Sequence, residues 1–391
     1  MQTKVFSNDH YDAIIVGARC AGAATAMLLA RAGQRVLVVD WAEEGSDTMS
    51  THALMRGAVM QLDRWGVLPG IVAAGTPAIR RTTFQYGAQQ IPLDIKPSHG
   101  VDALYAPRRT VLDAALVAAA RAAGAELCFG ISFRDVLRDA QGRVRGAVLA
   151  SSRFGRIEVS ADIVIGADGR RSSVARRVEA RTNLVSRNRI ACAYAYYEGI
   201  EDTGSHWLYL PRFAAGKIPT NDGAHCVFVA LPMERFNSDV RGVLAEDPVA
   251  AILADEEPVF ADMMRPARRT SEVTLFAGQN GHMRQCQGPG WALVGDAGYF
   301  KDPLTAHGIT DALRDAESLA EAVLAGTGQA LQAYQRDRDA LSTELFDISD
   351  EIAGFGWSLP DLQALHMRLN TVMKQEQDWM ATRQAETRIA A

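Results

Sequence analysis

Hydrophobic residues near the N-terminus follow a strand–helix–strand pattern. Residues 13–17 form a short apolar run that ends in glycine, and residues 35–40 form a second run that ends in Asp40. Continuous apolar runs of this length predict buried parallel strands. Between them, residues 21–32 are rich in Ala and Leu and precede Gly33, which is typical of a helix ending at glycine. The pattern predicts a βαβ unit of about thirty residues, the size of the start of a dinucleotide-binding domain.

Two more apolar runs, at residues 162–166 and 291–295, predict buried strands far along the chain. Residues 82–93 predict strand, and residues 191–231 alternate at period two, which predicts antiparallel strands. Helices are predicted at residues 51–65, 110–123, 247–264 and 308–324 and over most of residues 331–391. The predicted fold class is α/β. A Rossmann-like domain would combine residues 1–80, 100–178 and 285–330, with an inserted antiparallel-sheet substrate domain of residues 81–99 and 179–284. Residues 331–391 would form a helical C-terminal region.

Composition narrows the possible functions. The chain is 48% hydrophobic and 22% charged, and its net charge of −5 argues against a nucleic-acid partner. The N-terminus is polar and no apolar run reaches roughly 18–20 residues, so we expect a cytoplasmic protein without a signal peptide or membrane span. The scattered cysteines form no CxxC pair, which predicts reduced thiols and neither a bound metal nor a dithiol centre. They are Cys20, Cys128, Cys192, Cys226 and Cys286.

The first candidate motif is Gly17-Ala-Arg-Cys-Ala-Gly22, at the turn from the first predicted strand into the helix. There the free N–H groups and the dipole of a helix start favour a dinucleotide pyrophosphate. The outer glycines permit the tight turn and close packing, whereas Arg19 replaces the middle glycine of the usual pattern. An ordinary βα turn of small residues would look similar. Asp40 favours a dinucleotide-binding site, because a carboxylate that ends the second strand can accept a hydrogen bond from a ribose hydroxyl.

Later segments carry a resemblance to a known family. Ile163-Val-Ile-Gly-Ala-Asp-Gly-Arg-Arg-Ser-Ser-Val174 resembles the DG motif of the flavin-dependent aromatic hydroxylases, and Trp291-Ala-Leu-Val-Gly-Asp-Ala-Gly298 resembles their GD motif. Asp302-Pro-Leu-Thr-Ala-His-Gly-Ile-Thr-Asp-Ala-Leu-Arg-Asp-Ala316 resembles their Pro-x-x-Gly-x-Gly-x-Asn loop and the Asp-Ala that follows it on the next helix. Arg109-Thr-Val-Leu112 resembles a helix start in their FAD domain. These segments occur in the family's order across residues 13–316. The resemblance implies a group A flavin-dependent monooxygenase, within the superfamily that includes geranylgeranyl reductases and flavin halogenases.

The resemblance implies FAD as the cofactor and NADPH or NADH as a transient reductant. Asp296 would accept a hydrogen bond from a ribityl hydroxyl, Asp168 would take part in handling both FAD and the nicotinamide, and Arg109 would reach the pyrophosphate or the ribityl chain. Holding the turn is the plain alternative for Asp168. Loop and helix capping are the plain alternatives for Asp296 and Arg109. The helix after residue 308 would point its positive N-terminus at the flavin pyrimidine edge, although Ala306 and Thr310 depart from the family's glycine and asparagine. The implied cofactor-binding residues are Gly17, Ala18, Arg19, Cys20, Ala21, Gly22, Asp40, Arg109, Asp168, Gly295, Asp296, Pro303, Ala306, His307, Gly308 and Ile309.

Two histidines are candidate catalytic residues. His307 lies in the loop expected over the flavin and would act as a general base, and His52 could line the same cavity. Local hydrogen bonding for His307 and a helix start for His52 are the plain alternatives. Aromatic residues alternate on the strands predicted in the middle of the chain, where they form either core or the wall of an aromatic pocket. The predicted substrate pocket consists of Tyr194, Tyr196, Trp207, Tyr209, Pro303 and Leu304.

The resemblance implies hydroxylation of an apolar, aromatic small molecule with NAD(P)H and O2, through a flavin C4a-hydroperoxide. The chain has no second glycine-rich βαβ unit, which fits transient nicotinamide binding and equally fits a separate flavin reductase. The main alternative is a geranylgeranyl-reductase-like enzyme that reduces a prenyl or other unsaturated lipid-like substrate, because His206-Trp-Leu-Tyr-Leu-Pro211 partly resembles a segment of such reductases. A flavin-binding scaffold or sensor without catalysis is a third possibility, and the protein would be a monomer or a homodimer.

Overall fold

The structure, a computed structural model, describes residues 6–241 and 246–390. Its strands are β1 (His10–Val16), β2 (Val36–Asp40), β3 (Arg81–Tyr86), β4 (Gln89–Asp94), β5 (Glu126–Phe129), β6 (Ser132–Arg138), β7 (Val144–Ser151), β8 (Gly155–Gly166), β9 (Thr182–Val185), β10 (Ile190–Glu198), β11 (Ser205–Leu210), β12 (Phe213–Pro219), β13 (Ala224–Pro232), β14 (Arg268–Arg269), β15 (Thr274–Phe276), β16 (His282–Arg284), β17 (Gln287–Gly288), β18 (Trp291–Leu293) and β19 (Tyr299–Phe300). Its helices are α1 (Cys20–Arg31), α2 (Arg56–Arg64), α3 (Leu68–Ala73), α4 (Arg109–Ala122), α5 (Ser173–Arg177), α6 (Met233–Phe236), α7 (Pro248–Glu256), α8 (Pro258–Asp262), α9 (Gly308–Leu324), α10 (Gly328–Ala353) and α11 (Leu359–Ala390).

The first sheet takes its strands from distant parts of the chain. Its order is β17-β18-β8-β1-β2-β5, and β6 and β7 form a hairpin that pairs with β8. β1 is parallel to both β2 and β8, and β18 is parallel to β8. The apolar residues of β1 and β2 are almost entirely buried because helices α1, α4 and α9 contribute side chains to the same core. This arrangement confirms the predicted α/β, Rossmann-like fold class.

The second sheet has the order β14-β10-β13-β12-β11-β3-β4, and β15 also pairs with β10. All of its pairs are antiparallel except β3 with β11, which run parallel. The parallel pair arises because β3 and β4 come from residues 81–94 and join the far end of a sheet built mostly by residues 190–232. A small sheet, β19-β16-β9, lies beside the two large ones.

Long C-terminal helices cover one face of the second sheet. Apolar residues of α10 and α11, including Ile348, Leu362 and Leu369, share a core with Trp207 and Tyr209 of β11. The opposite face of the sheet is covered by α7 and α8, with Phe260 among the buried residues. The C-terminal helices therefore pack against the face of this sheet that the sequence analysis treats as a possible pocket wall.

Among the described helices, none combines the length and the apolar character needed to cross a membrane.

Two element predictions are wrong in detail. The helix predicted from residue 51 begins only at Arg56, because Leu54 N donates a hydrogen bond to Tyr105 O at 2.8 Å and this part of the chain stays extended. The single strand predicted at residues 82–93 is a hairpin of β3 and β4, which turns through Gly87 at a φ of 58°. The domain boundaries drawn from the sequence stay a prediction.

Candidate cofactor and active site

A cavity of ≈730 Å³ opens where the parallel strands of the first sheet end. β1 and β8 stay in register to their last residues, with Val16 beside Gly166, and Leu293 of β18 pairs with Gly166 on the other side. The segments that follow these three strands therefore emerge side by side. They bring Gly17, Asp168 and Asp296 onto the wall of one cavity, at the edge where open α/β sheets bind ligands.

The turn after β1 is packed so closely that only glycine fits at both of its ends. Gly17 has a φ of +107°, and a Cβ there would lie 2.4 Å from Ala167 O. A Cβ on Gly22 would lie 1.8 Å from Gly17 O. Helix α1 thus begins directly against the strand ends, and no side chain caps its first turn. Its N-terminal amides are available to an anion.

Asp40 is held by the backbone around this turn. One carboxylate oxygen accepts a hydrogen bond from Ala18 N at 2.8 Å, and the other accepts one from Ala42 N at 2.9 Å. The side chain also lines the cavity. A carboxylate has about four acceptor positions, so these two bonds leave room for the proposed ribose hydroxyl.

Arg19 and Arg109 meet at one carboxylate behind the turn. Asp113 of α4 accepts hydrogen bonds from Arg109 Nη2 at 3.0 Å and from Arg19 Nη1 at 3.3 Å. Cys20 Sγ donates to the same carboxylate at 3.1 Å. The spacing of four residues that places Asp113 and Arg109 on one helix face was visible in the sequence. The contact between Asp113 and Arg19, by contrast, depends on how α1 packs on α4.

Asp168 and Asp296 are both cavity-lining carboxylates with different surroundings. Asp168 accepts hydrogen bonds from Ser172 Oγ at 2.5 Å and Ser173 N at 2.6 Å, so it holds the turn into α5. Burial raises the pKa of Asp168. Burial also raises the pKa of Asp296, which nearby cations only partly offset, and within the described chain its carboxylate accepts no hydrogen bond.

The loop before α9 approaches the cavity, but His307 points away from it. Pro303, Ala306 and Gly308 line the cavity, and Ala306 adopts a φ of +51° at the position where the family has glycine. His307 has a fully buried side chain, and its Nε2 lies 2.6 Å from Glu376 Oε2 of α11. The loop thus lines the cavity as predicted for it, but the His307 side chain does not reach the cavity, because α11 packs behind the loop and Glu376 binds the imidazole.

A buried ion-pair network surrounds this contact. Arg314 Nη1 donates to Glu376 Oε1 at 2.5 Å and its Nη2 donates to Asp315 Oδ1 at 2.7 Å. Burial would raise the pKa of Glu376, but His307 and Arg314 outweigh it and lower the pKa to about 2. Lys301 donates to Asp311, and both residues reach the cavity wall. Burial lowers the pKa of Lys301 to about 7.

Helix α11 covers some of the aromatic side chains that alternate on the strands of the second sheet and leaves others on the cavity wall. Tyr194 lines the cavity, together with Cys192 and Phe276, which sequence reasoning did not single out. Tyr209 is instead buried against α11, with its ring centroid 4.8 Å from that of His366, and Trp207 packs on Phe228.

Three further pocket residues predicted from the sequence lie behind the cavity wall. They are Tyr196, Trp207 and Leu304, whose side chains belong to the core shared with α10 and α11. Of the six predicted substrate-pocket residues, only Tyr194 and Pro303 lie on the wall of this cavity. The alternation of β10 and β11 identified residues that share a face, but α11 covers part of that face.

His52 lies on the cavity wall in a loop ahead of α2 and not at a helix start. Its backbone has a φ of +46°, and its Nδ1 lies 3.0 Å from Ala106 O, so Nδ1 carries the proton and donates. Burial lowers the pKa of His52 to about 3, which keeps the ring neutral near pH 7. Its Nε2 is then an acceptor, and it has no partner among the described residues.

The free polar groups of the cavity fit FAD. Arg109 Nε is buried without a hydrogen-bond partner in the described chain, and the Asp296 carboxylate is likewise without a donor. The amides at the start of α1 are also uncapped. A cation and helix amides suit a pyrophosphate, and an unbonded carboxylate suits the hydroxyls of a ribityl chain.

Comparison with known proteins agrees with this fit. A family model described as an FAD binding domain matches residues 10–349. The chain belongs to this FAD-binding family. It is an FAD-dependent oxidoreductase, which sets aside the scaffold without catalysis.

Curated relatives match the flavoenzyme over most of its length. The menaquinone reductase of Mycolicibacterium smegmatis is 29% identical over 335 residues, which cover 82% of this chain and 78% of the relative. The digeranylgeranylglycerophospholipid reductase of Methanothrix thermoacetophila is 27% identical over 344 residues, covering 83% of this chain and 82% of the relative. The structure of P. aeruginosa PqsL in complex with 2-aminobenzoylacetate matches with a TM-score of 0.74 at 19% identity, covering 93% of this chain and 100% of PqsL. The likeness to PqsL shows a shared fold.

Proposed function

We propose that the flavoenzyme is a monooxygenase that uses NADH or NADPH and O2 to hydroxylate a small aromatic molecule bearing a hydroxyl group. The supporting observation is the shape of the cavity. Its volume is ≈730 Å³, and α11 covers the sheet beyond Tyr194, where His366 contacts Tyr209. Ligand pockets span roughly 300–1,000 Å³. A cavity of this size that also holds FAD suits a substrate of one or two rings better than a long prenyl chain.

The residues at the substrate end would orient such a ring. Tyr194, Phe276 and Phe300 provide aromatic contacts on the cavity wall. His52 Nε2 is an acceptor without a partner, and it would accept a hydrogen bond from the substrate hydroxyl. With a pKa of about 3, His52 is a weak base, so its proposed role is to position the hydroxyl and not to remove its proton.

The bound FAD would supply electron transfer from the nicotinamide to O2. In the balanced reaction, NAD(P)H and a proton provide two electrons, one oxygen atom replaces a ring hydrogen as hydroxyl, and the other leaves as water. The chain's contribution is to exclude water and to present stabilising charge. The N-terminus of α9 places positive charge at the cavity wall.

A second function is favoured by the curated relatives. Both are named reductases, and one acts on a geranylgeranyl lipid according to its name. A reductase of this kind would add two hydrogen atoms to a carbon–carbon double bond and would need no oxygen. The partly open cavity would then have to admit the end of a prenyl chain.

One experiment separates the two proposals. The FAD-loaded enzyme is reduced anaerobically with NADPH, NADH or a generic flavin reductase, and is then given ¹⁸O₂ with a panel of phenols and hydroxyquinolines or with menaquinone. Incorporation of one ¹⁸O atom into an aromatic product supports the monooxygenase. Reoxidation that yields only hydrogen peroxide with every aromatic compound contradicts it. An anaerobic menaquinone product that stays heavier by two hydrogens after its quinone ring is reoxidised in air supports the reductase.

A further inference from the structure

One stretch of the cavity wall belongs to a single loop without helix or strand. This wall loop, residues 41–55, runs from the end of β2 to the start of α2. Trp41 lines the cavity at one end of the loop, and Met49, Ser50 and His52 line it at the other. Loops of this length without secondary structure are uncommon and are often functional. The wall loop therefore contacts both the cofactor end and the substrate end of the same cavity.

The far end of the wall loop is fixed to the second sheet and the segment before α4. Ser50 N donates to Tyr194 Oη at 3.0 Å, and His52 Nδ1 donates to Ala106 O at 3.0 Å. In the middle of the loop, Arg121 donates to Glu44 at 2.7 Å, but both side chains are about half exposed, at 47% and 50%. An exposed pair of this kind contributes little to stability. The middle of the loop needs another anchor if it is to stay closed.

Arg19 supplies hydrogen bonds to the middle of the wall loop. Its Nη2 donates to Asp47 O at 3.1 Å, and its Nη1 donates to Ser46 O at 3.3 Å. Ser46 Oγ lies 3.5 Å from Nη2. The planar guanidinium can reach both carbonyls at once because its donors form a rigid fork. A glycine at this position, as in the usual motif, could make none of these contacts.

Asp113 fixes the guanidinium that binds the loop. It accepts from Arg19 Nη1 at 3.3 Å, and its side chain is only 13% exposed. The same carboxylate holds Arg109, which lines the cavity. The cation that contacts the wall loop is thus tied to a residue at the cofactor end of the cavity.

We propose that Arg19 is a positioning residue that latches the wall loop over the cavity. In this flavoenzyme the side chain at the middle position of the glycine-rich turn serves the loop, while the backbone of the turn remains free for the pyrophosphate. The latch holds the middle of the wall loop in place and so retains bound FAD, while Ser50 and His52 keep their own anchors at the substrate end. The inference rests on the FAD-binding family and not on the proposed oxygenation, because neither measurement below involves turnover.

The test compares Arg19→Gly, Arg19→Met and Arg19→Lys with the unchanged protein. Arg19→Gly restores the usual glycine, Arg19→Met keeps a long side chain without donors, and Arg19→Lys keeps the charge on a single donor group. Glu44→Gln is the matched control, because it removes the exposed ion pair of the same loop. Hydrogen–deuterium exchange of peptides covering residues 44–50 is measured in the FAD-free protein, and FAD dissociation is followed by recovery of flavin fluorescence.

We expect faster exchange at residues 44–50 and FAD dissociation faster by about tenfold in Arg19→Gly and Arg19→Met. Arg19→Lys should recover part of both effects, and Glu44→Gln should change neither. Slower or unchanged FAD release in Arg19→Gly would overturn the latch, because it would mean that the arginine is only tolerated in the motif. Faster release with unchanged exchange at residues 44–50 would also overturn it, since Arg19 would then act on the pyrophosphate directly.

Discussion

Asp296→Asn should weaken FAD binding and at the same time stabilise the FAD-free protein. Without FAD, the half-buried Asp296 lines the cavity wall, and within the described chain its carboxylate accepts no hydrogen bond. A fully buried acceptor left without a partner costs about 1–3 kcal/mol, and a half-buried one lies at the lower end of that range. Arg170, Lys301 and Arg109 offset part of that cost, but burial still raises the pKa of Asp296. We therefore expect a net gain of about 1 kcal/mol in the FAD-free variant.

The two effects can be measured separately. For 391 residues, an unfolding entropy of about 2.1 cal/mol/K per residue converts 1 kcal/mol into a Tm increase of about 1 °C. A hydrogen bond to a charged group contributes about 1.5–3 kcal/mol, so the Kd for FAD should rise by roughly 10- to 150-fold. Scanning calorimetry of the FAD-free protein measures the first effect, and quenching of flavin fluorescence on titration measures the second.

The pH dependence gives a check on the cause. Because the folded-state pKa of Asp296 is raised, the penalty is full at pH values above that pKa and is lost as the pH falls from it towards the ordinary carboxyl pKa. The Tm difference between Asp296→Asn and the unchanged protein should therefore shrink on acidification. Asp40→Asn is the matched control. Its carboxylate accepts from Ala18 N and Ala42 N, so the FAD-free control should lose stability. A lower Tm for FAD-free Asp296→Asn, or unaltered FAD affinity, would refute the reasoning.

Three further substitutions test other parts of the site. Gly22→Ala would place its Cβ 1.8 Å from Gly17 O, so it should cost about 1–3 kcal/mol and abolish FAD retention; full flavin content after purification would contradict this. Glu376→Ala leaves Arg314 short of a buried partner and should cost about 3 kcal/mol, or about 4 °C in a calorimetric Tm; an unchanged Tm would show that the remaining partners suffice. His52→Leu should raise the KM for a hydroxylated aromatic substrate while FAD affinity stays constant, and equal KM values would remove His52 from substrate binding.

The parallel strands and their helices could be predicted closely because local pattern and burial agree there. Residues 13–17 and 35–40 were predicted as strands, and the structure has β1 at His10–Val16 and β2 at Val36–Asp40. The helix predicted at residues 110–123 is α4, Arg109–Ala122. Both faces of these strands are covered, so a continuous apolar run indicates directly that a strand lies in the buried parallel sheet. Segments 163–174 and 291–298 come together in the structure because β18 pairs with β8.

The substrate end could not be predicted from the same patterns. Period-two alternation grouped Tyr194 with Trp207 and Tyr209, but it contains no information about which part of a face a helix from residues 359–390 will cover. His307 was placed in the correct loop, yet the direction of its side chain depends on Glu376, a residue distant in sequence. Lys301 belongs to no motif, and its position beside Asp311 on the cavity wall follows from tertiary packing.

The order of strands in the first sheet has a consequence for synthesis of the protein. β1 and β2 lie within the first forty residues, but β18, which completes the cavity edge, ends at Leu293. Chains emerge from the ribosome at roughly 5–20 residues per second. About tens of seconds therefore pass between synthesis of β1 and β2 and synthesis of β18, the last parallel strand. The glycine-rich turn is therefore made long before Asp296 can join it. Stable flavin loading should be a late event, and the exposed strand edges of the unfinished sheet should make nascent chains prone to aggregation or dependent on chaperones.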